Sequence, residues 1–119
     1  MKKLYGVVVP IVTPLTQEDA IDVTSLKRLA DHCIDSGMQA IYPCGTTGEM
    51  MYLSVEERRL VAETVVRHAA GRVPVFVHVG AWNLRDTVEL AKHAAEIGAD
   101  GIAVETPAFF AVRDHALVD

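Results

Sequence analysis

Aromatic side chains are scarce in this chain of 119 residues, at 6% of positions, and basic side chains are outnumbered. Its 11 Lys and Arg stand against 16 Asp and Glu, a formal net charge of −5. No basic stripe runs through the sequence, which argues against nucleic acid as a partner. Long apolar runs are missing too. The longest, Val7 to Val12, is far too short to cross a bilayer, so no membrane partner is expected. Met1-Lys2-Lys3 and the apolar stretch after it have the outline of a signal peptide, but Pro10 and Pro14 interrupt it and no small-residue cleavage site follows. The 2 cysteines, Cys33 and Cys44, fit a reducing cytoplasm better than a disulfide scaffold. His32, His68, His93 and His115 show no ligand spacing, so neither a metal site nor a cofactor is expected.

What the chain does have is a core composition, with 50% apolar residues arranged in alternating strand and helix patterns. Tyr5 to Val12 reads as a fully buried strand. Asp22 opens a helix with Leu26, Leu29, Ala30, Cys33 and Ile34 on one face, and Gly37 closes it. Ala40 to Cys44 is a second strand. Ser54-Val55-Glu56-Glu57 has the form of a capping box, starting a helix to about Ala70. Its apolar positions are Val55, Leu60, Val61, Thr64, Val65 and His68, and Gly71 stops it. Val75 to Val79 is a third strand. Asn83 or Asp86 starts a third helix carrying Val88, Leu90, Ala91, Ala94, Ala95 and Ile97. Gly101 to Val104 is the fourth strand, and Asp114 begins a fourth helix.

Strict alternation implies right-handed βαβ units and a parallel sheet. An open doubly wound sheet and part of a (β/α)8 barrel both satisfy it. A barrel needs roughly 250 residues, and this sequence stops just inside the helix begun at Asp114. We therefore expect an α/β fold, the N-terminal half of a (β/α)8 TIM barrel, with residues 1–119 forming an incomplete domain.

The chemistry gathers at Gly45-Thr46-Thr47-Gly48-Glu49, directly after the second strand. Two glycines let the backbone turn tightly and come close to a bound group. Two adjacent hydroxyls and free backbone N–H groups make a cup for a carboxylate or phosphate. The loop lacks the Lys-Ser or Lys-Thr of a nucleotide P-loop. A lysine that attacks a ketone must sit enclosed, normally at a strand end. Lys2 and Lys3 precede the first strand, and Lys27 and Lys92 lie in helices, so no such nucleophile is present. His78, on a strand, suits either a base or a packed imidazole bonded to backbone. Cys44 without a visible His partner reads as small buried filler. Glu49 reads as a brace for the loop, accepting backbone N–H bonds, and Glu105 either points into the barrel mouth or is solvated.

Val7-Val8-Val9-Pro10-Ile11-Val12-Thr13-Pro14, Ser36-Gly37-Met38-Gln39-Ala40-Ile41, the Gly45 to Glu49 loop and Leu53-Ser54-Val55-Glu56-Glu57-Arg58 recur in a fixed order. With Gly71-Arg72-Val73-Pro74-Val75, Gly98-Ala99-Asp100-Gly101 and Thr106-Pro107, this set closely resembles the dihydrodipicolinate synthase and N-acetylneuraminate lyase family. The resemblance implies a class I aldolase or lyase that binds pyruvate, or a related 2-oxo acid, as a Schiff base. It also implies a homo-oligomer. It assigns Gly45, Thr46, Thr47 and Gly48 to the substrate carboxylate, with Thr47 binding through hydroxyl and N–H and Thr46 as a proton-relay hydroxyl. The family's Schiff-base lysine and strand-end tyrosine fall beyond Asp119. Where the synthases carry a relay tyrosine this chain has Phe109, which has no hydroxyl; that favours a related lyase, aldolase or dehydratase over dihydrodipicolinate synthesis. The 119 residues alone are expected to be inactive. The alternatives are a non-catalytic α/β module binding a small anion, and a degenerate truncated product.

Overall fold

Short parallel strands and longer helices alternate, and each element begins where its capping chemistry places it. The structure, a computed structural model, describes residues 4–106. Its strands are β1 (Val8–Pro10), β2 (Ala40–Tyr42), β3 (Phe76–His78) and β4 (Gly101–Ala103), and its helices α1 (Val23–Asp35), α2 (Val55–Ala69) and α3 (Leu84–Glu96). Asp22 caps α1 by accepting from the Ser25 N–H at 2.9 Å. Ser54 and Glu57 form the reciprocal capping box of α2. Asn83, not Asp86, caps α3; its side chain accepts from the Asp86 N–H at 2.8 Å. A 3-10 turn, Met50–Tyr52, lies between β2 and α2 and has no counterpart in the sequence reading. The fourth helix expected from Asp114 lies outside the described residues.

The strands are shorter than the apolar runs that predict them, although backbone bonding continues past their ends. Ile11 N–H donates to the Tyr42 carbonyl at 3.1 Å, and Val79 N–H to the Ala103 carbonyl at 2.9 Å. The first run is also not buried throughout. Ile11 and Thr13 are buried, whereas Val7 and Val12 are 56% and 52% exposed. Successive strand residues point to opposite faces, which turns Val12 away from the face of Ile11 and Thr13 that the helices cover, whereas Val7 lies ahead of β1. A similar shift occurs on α2. Its buried stripe runs Arg58, Val61, Ala62, Val65, Ala69, and Leu60 falls off it and is exposed. On α3, His93 is buried with Leu90 and Ala94, while Val88 and Ala95 face outward.

Topology decides between the two candidate architectures. β1 pairs with β2 and β3 with β4, all parallel. Between the pairs, Ile41 bridges Val75 in parallel, and His78 N–H donates to the Pro43 carbonyl at 3.1 Å. The strand order is therefore sequential, one to four, with no reversal. Right-handed crossovers between sequential neighbours put every helix on the same face. That is barrel geometry; a doubly wound sheet needs the order to reverse. The helices pack in the same order, α1 on α2 and α2 on α3. Leu26, Ile41 and Val65 are completely buried between helices and sheet, each contributing about 1.5–3 kcal/mol.

Among the described residues β1 and β4 are edge strands. Exposed apolar side chains gather beside them, Val7 and Val12 at one edge and Ile102 and Val104 at the other. Open apolar edges template pairing, and a net charge of −5 opposes it only modestly. The purified chain is expected to self-associate. Sedimentation over a concentration series checks this, and a compact monomer at every concentration would contradict it.

Candidate functional site

Because all four strands are parallel, their C-terminal ends share one rim, and that rim carries the candidate residues. Thr13 follows β1, the Cys44–Glu49 loop follows β2, Val79 and Gly80 follow β3, and Glu105 follows β4. The buried Thr13 hydroxyl donates to the Gly48 carbonyl at 2.7 Å, tying the loop to the first strand. Glu49 N–H donates to the Thr46 carbonyl at 3.0 Å and Met50 N–H to the Gly45 carbonyl at 3.3 Å, closing the loop on itself. Among the described residues the N–H groups of Thr46, Thr47 and Gly48 find no backbone acceptor. Thr46 and Thr47 are exposed, whereas Gly45 and Gly48 are buried. The result is two hydroxyls above a set of unoccupied donors, an anion cup.

The glycines do a different job from the one the sequence suggests. The left-handed residues of the loop are Cys44 (φ 63°) and Glu49 (φ 58°), not the glycines. Gly48 is needed for close packing: a Cβ there would lie 3.2 Å from both the Cys44 nitrogen and the Ile11 carbonyl oxygen. At Gly45 a Cβ would come within 2.5 Å of the Tyr42 ring. Two non-glycine residues held left-handed at one rim mark stored backbone strain of the kind that collects at functional sites.

A buried arginine organises the floor. Arg58 is 4% exposed and sends one N–H to the Gly80 carbonyl at 2.7 Å and another to the His78 carbonyl at 2.8 Å. The Cys44 thiol sits 3.7 Å from the Arg58 carbonyl. Burial lowers the Arg58 pKa, yet a guanidinium remains protonated. His78 is buried, and its Nε2 accepts from the Glu105 N–H at 3.1 Å. Its Nδ1 lies 3.4 Å from an Arg58 terminal nitrogen, a positive neighbour that disfavours a charged ring. Burial, then the Arg58 charge, lower its pKa, while Glu105 pulls the other way. Tyr42 meets this ring edge-on, with centroids 6.0 Å apart at 61°. Its phenol is pushed up by burial and then by the Glu105 charge, against a smaller pull from Arg58.

These positions answer the sequence-based expectations residue by residue. Gly45, Thr46, Thr47 and Gly48 form one cup, and Glu105 reaches it: the Thr46 hydroxyl lies 3.5 Å from Glu105 Oε1. His78 is a packed, buried imidazole, its Nε2 bonded to the Glu105 backbone and its Nδ1 beside the Arg58 guanidinium, not a free base. Cys44 is buried filler; burial pushes its thiol up to about 11, so it stays protonated and unreactive. Glu49 is corrected, since it makes no side-chain cap bond and shapes the loop through its left-handed backbone. Phe109 lies outside the described residues. Arg58 escaped sequence reading as a site residue, although its place on the i, i+3, i+4, i+7 stripe of α2 was a usable signal. A surface hollow lined by Leu84, Val88 and Lys92 opens on the outside of α3 and includes no residue of the rim. Among the described residues no metal-binding cluster occurs, and no helix is long and apolar enough to cross a membrane.

Comparison with known proteins places this geometry in a family. The model of the dihydrodipicolinate synthetase family matches residues 3–119. N-acetylneuraminate lyase of Rattus norvegicus is 47% identical over 92% of this chain, which spans 35% of that protein. The solved N-acetylneuraminate lyase of Proteus mirabilis superposes with a TM-score of 0.92 at 35% identity, over 98% of this chain and 40% of that one. A prophage protein of the dihydrodipicolinic acid synthase family from E. coli K12, solved in complex with pyruvate, gives 0.91 at 34% identity, over 95% of this chain and 38% of that one. The chain thus spans little more than a third of the relatives it matches, and corresponds to the N-terminal portion of their barrel.

The role given to Arg58 is testable by unfolding. Arg58→Met keeps the stem but strands the His78 and Gly80 carbonyls without donors. A lost bond that leaves a buried acceptor unpaired costs about 1–3 kcal/mol, so the variant should lose roughly 2–4 kcal/mol in urea denaturation. Arg58→Lys, lacking the fork, should recover only part of it. Unchanged stability in the Met variant would remove Arg58 from the account.

Proposed function

The chain belongs to the dihydrodipicolinate synthetase family, and on that premise we propose that it supplies the carboxylate-holding part of a Schiff-base lyase or aldolase acting on pyruvate or a related 2-oxo acid. One observation carries the reading: Thr46 and Thr47 stand exposed over N–H groups without backbone acceptors, on the C-terminal rim of a parallel sheet, where barrel enzymes hold substrate. The pyruvate complex of a relative with the same fold supports the choice of ligand.

In this proposal the substrate carboxylate sits in the cup. One oxygen takes the Thr47 hydroxyl and N–H, and the other takes the remaining loop amides. The Thr46 hydroxyl faces the reacting carbons and moves a proton. A lysine on a later strand, beyond Asp119, condenses with the 2-oxo group. Among the described residues nothing at the rim replaces it, since Lys27 lies in α1 and Lys92 in α3, both exposed to water. A lysine nucleophile needs an enclosed site in which its pKa falls. The chain alone is therefore inactive, and the working enzyme is a homo-oligomer in the cytoplasm.

Treatment with pyruvate and borohydride, read by intact mass, tests the division of labour. A full-length version should gain one reduced pyruvate adduct and the 119-residue chain none; a stoichiometric adduct on the chain alone would overturn the proposal. The cup is tested separately, in a full-length version whose lysine has been replaced. Thr47→Val keeps the volume and deletes one hydrogen bond to a charged group, worth about 1.5–3 kcal/mol. Pyruvate titration should show affinity falling roughly ten- to a hundredfold, whereas equal affinity would mean that the hydroxyl faces away.

A further inference from the structure

Thr46 has one proton to donate, and the structure gives it an acceptor. Glu105 Oε1 lies 3.5 Å from the Thr46 hydroxyl across 59 residues of sequence. The separation is long for a hydrogen bond, as catalytic contacts often are before substrate tightens the site. The carboxylate is not there by the accident of a floppy end. The Glu105 N–H is fixed to His78 Nε2 at 3.1 Å, and the His78 carbonyl is held by buried Arg58 at 2.8 Å. A continuous set of bonds therefore runs from the core of α2 through the end of β3 to the residue behind Thr46. Glu105 is exposed at the rim, so a proton reaching it can exchange with water. The charged or titratable groups that sense it are Tyr42 on β2 and His78 on β3, with Arg58 below them.

A carboxylate beside an anion cup is an electrostatic conflict unless the neighbouring hydroxyl turns its proton toward it. We propose that Glu105 is the proton acceptor behind Thr46, a positioning residue that turns the Thr46 oxygen lone pairs toward the substrate and completes a two-residue relay to solvent. The inference rests on the Schiff-base reading above. With pyruvate held as an iminium on the lysine, the C3–H bond breaks and its proton goes to Thr46 Oγ1. Thr46 passes its own proton to Glu105 Oε1, and the C–H electron pair flows to the iminium nitrogen, giving the enamine. Reversal returns a solvent-derived proton to C3. The relay thus needs no aromatic hydroxyl at Phe109. Thr46 and Thr47 divide the work: Thr47 donates to the carboxylate and Thr46 accepts from carbon.

The step is read by deuterium incorporation at C3 of pyruvate, followed by NMR in heavy water with a full-length version. Adduct formation with borohydride is measured on the same samples. Glu105→Gln should still form the adduct while exchange falls roughly a hundredfold or more, the size of a lost general base. Glu105→Asp should recover part of the rate, and added formate should restore exchange to Glu105→Ala, which a merely structural role would not allow. The Thr46→Val, Glu105→Gln pair should lose no more than the worse single variant, as two members of one relay must. Wild-type exchange in Glu105→Gln with the adduct intact would overturn the relay alone. If Glu105→Gln failed to fold, wild-type exchange in Glu105→Asp together with no formate rescue of Glu105→Ala would do so. No adduct on the wild-type protein would overturn the Schiff-base reading and the relay with it.

Discussion

Burying a guanidinium is unfavourable unless its donors are directed at acceptors; Arg58 meets that condition with its two terminal nitrogens, which cross from α2 to the end of β3, while its buried Nε has no partner among the described residues. Its two bonds hold the His78 and Gly80 carbonyls at the point where the third strand leaves the sheet. That fixes the His78 ring, which positions the Glu105 backbone. Its own carbonyl lies against the Cys44 thiol at the root of the cup. One residue thus links the ends of three successive strands, its backbone to β2 and its side chain to β3 and, through His78, to β4. If it were absent, the rim would keep its residues but lose their relative placement.

In the proposed binding mode the cup takes its anion without a free cation. Among the described residues Arg58 is the rim's positive charge, and its fork is spent on carbonyls. What faces outward is hydroxyl and amide, with a carboxylate, Glu105, to one side. Binding here depends on directed hydrogen bonds from a strained loop, not on net attraction. In that mode the site would select for shape, because a planar carboxylate with an adjacent reacting carbon fits donors on one side and an acceptor on the other. The sparse charge also fits a chain that makes up little more than a third of its relatives, because further polarity can come from strands outside it.

The sequence made the alternation of elements legible because its punctuation is local. Asp22, Ser54 and Asn83 cap helices through bonds to residues three positions away, and Gly37, Gly71 and Gly98 take the left-handed turns that end them. The cup was legible for the same reason: its glycines and threonines are contiguous. Strand limits and burial were less so, since exposure of Val12 depends on which face the helices cover. The contribution of Arg58 depends on two carbonyls 20 and 22 residues away, and that of Glu105 on a register between β3 and β4. Neither leaves a local trace, and the strain at Cys44 and Glu49 breaks the usual rule that glycine takes such positions.

The central claim is that the loop after β2 holds a 2-oxo acid carboxylate and that Glu105 stands behind Thr46. The most direct measurement is a crystal structure of a full-length version soaked with pyruvate and trapped by reduction. The account predicts a carboxylate bonded to the Thr47 hydroxyl and N–H, the reduced carbon facing Thr46, and the Thr46–Glu105 separation drawn in from 3.5 Å. A trapped acid whose carboxylate is held elsewhere, with the loop amides still empty and Glu105 turned away from Thr46, would contradict it.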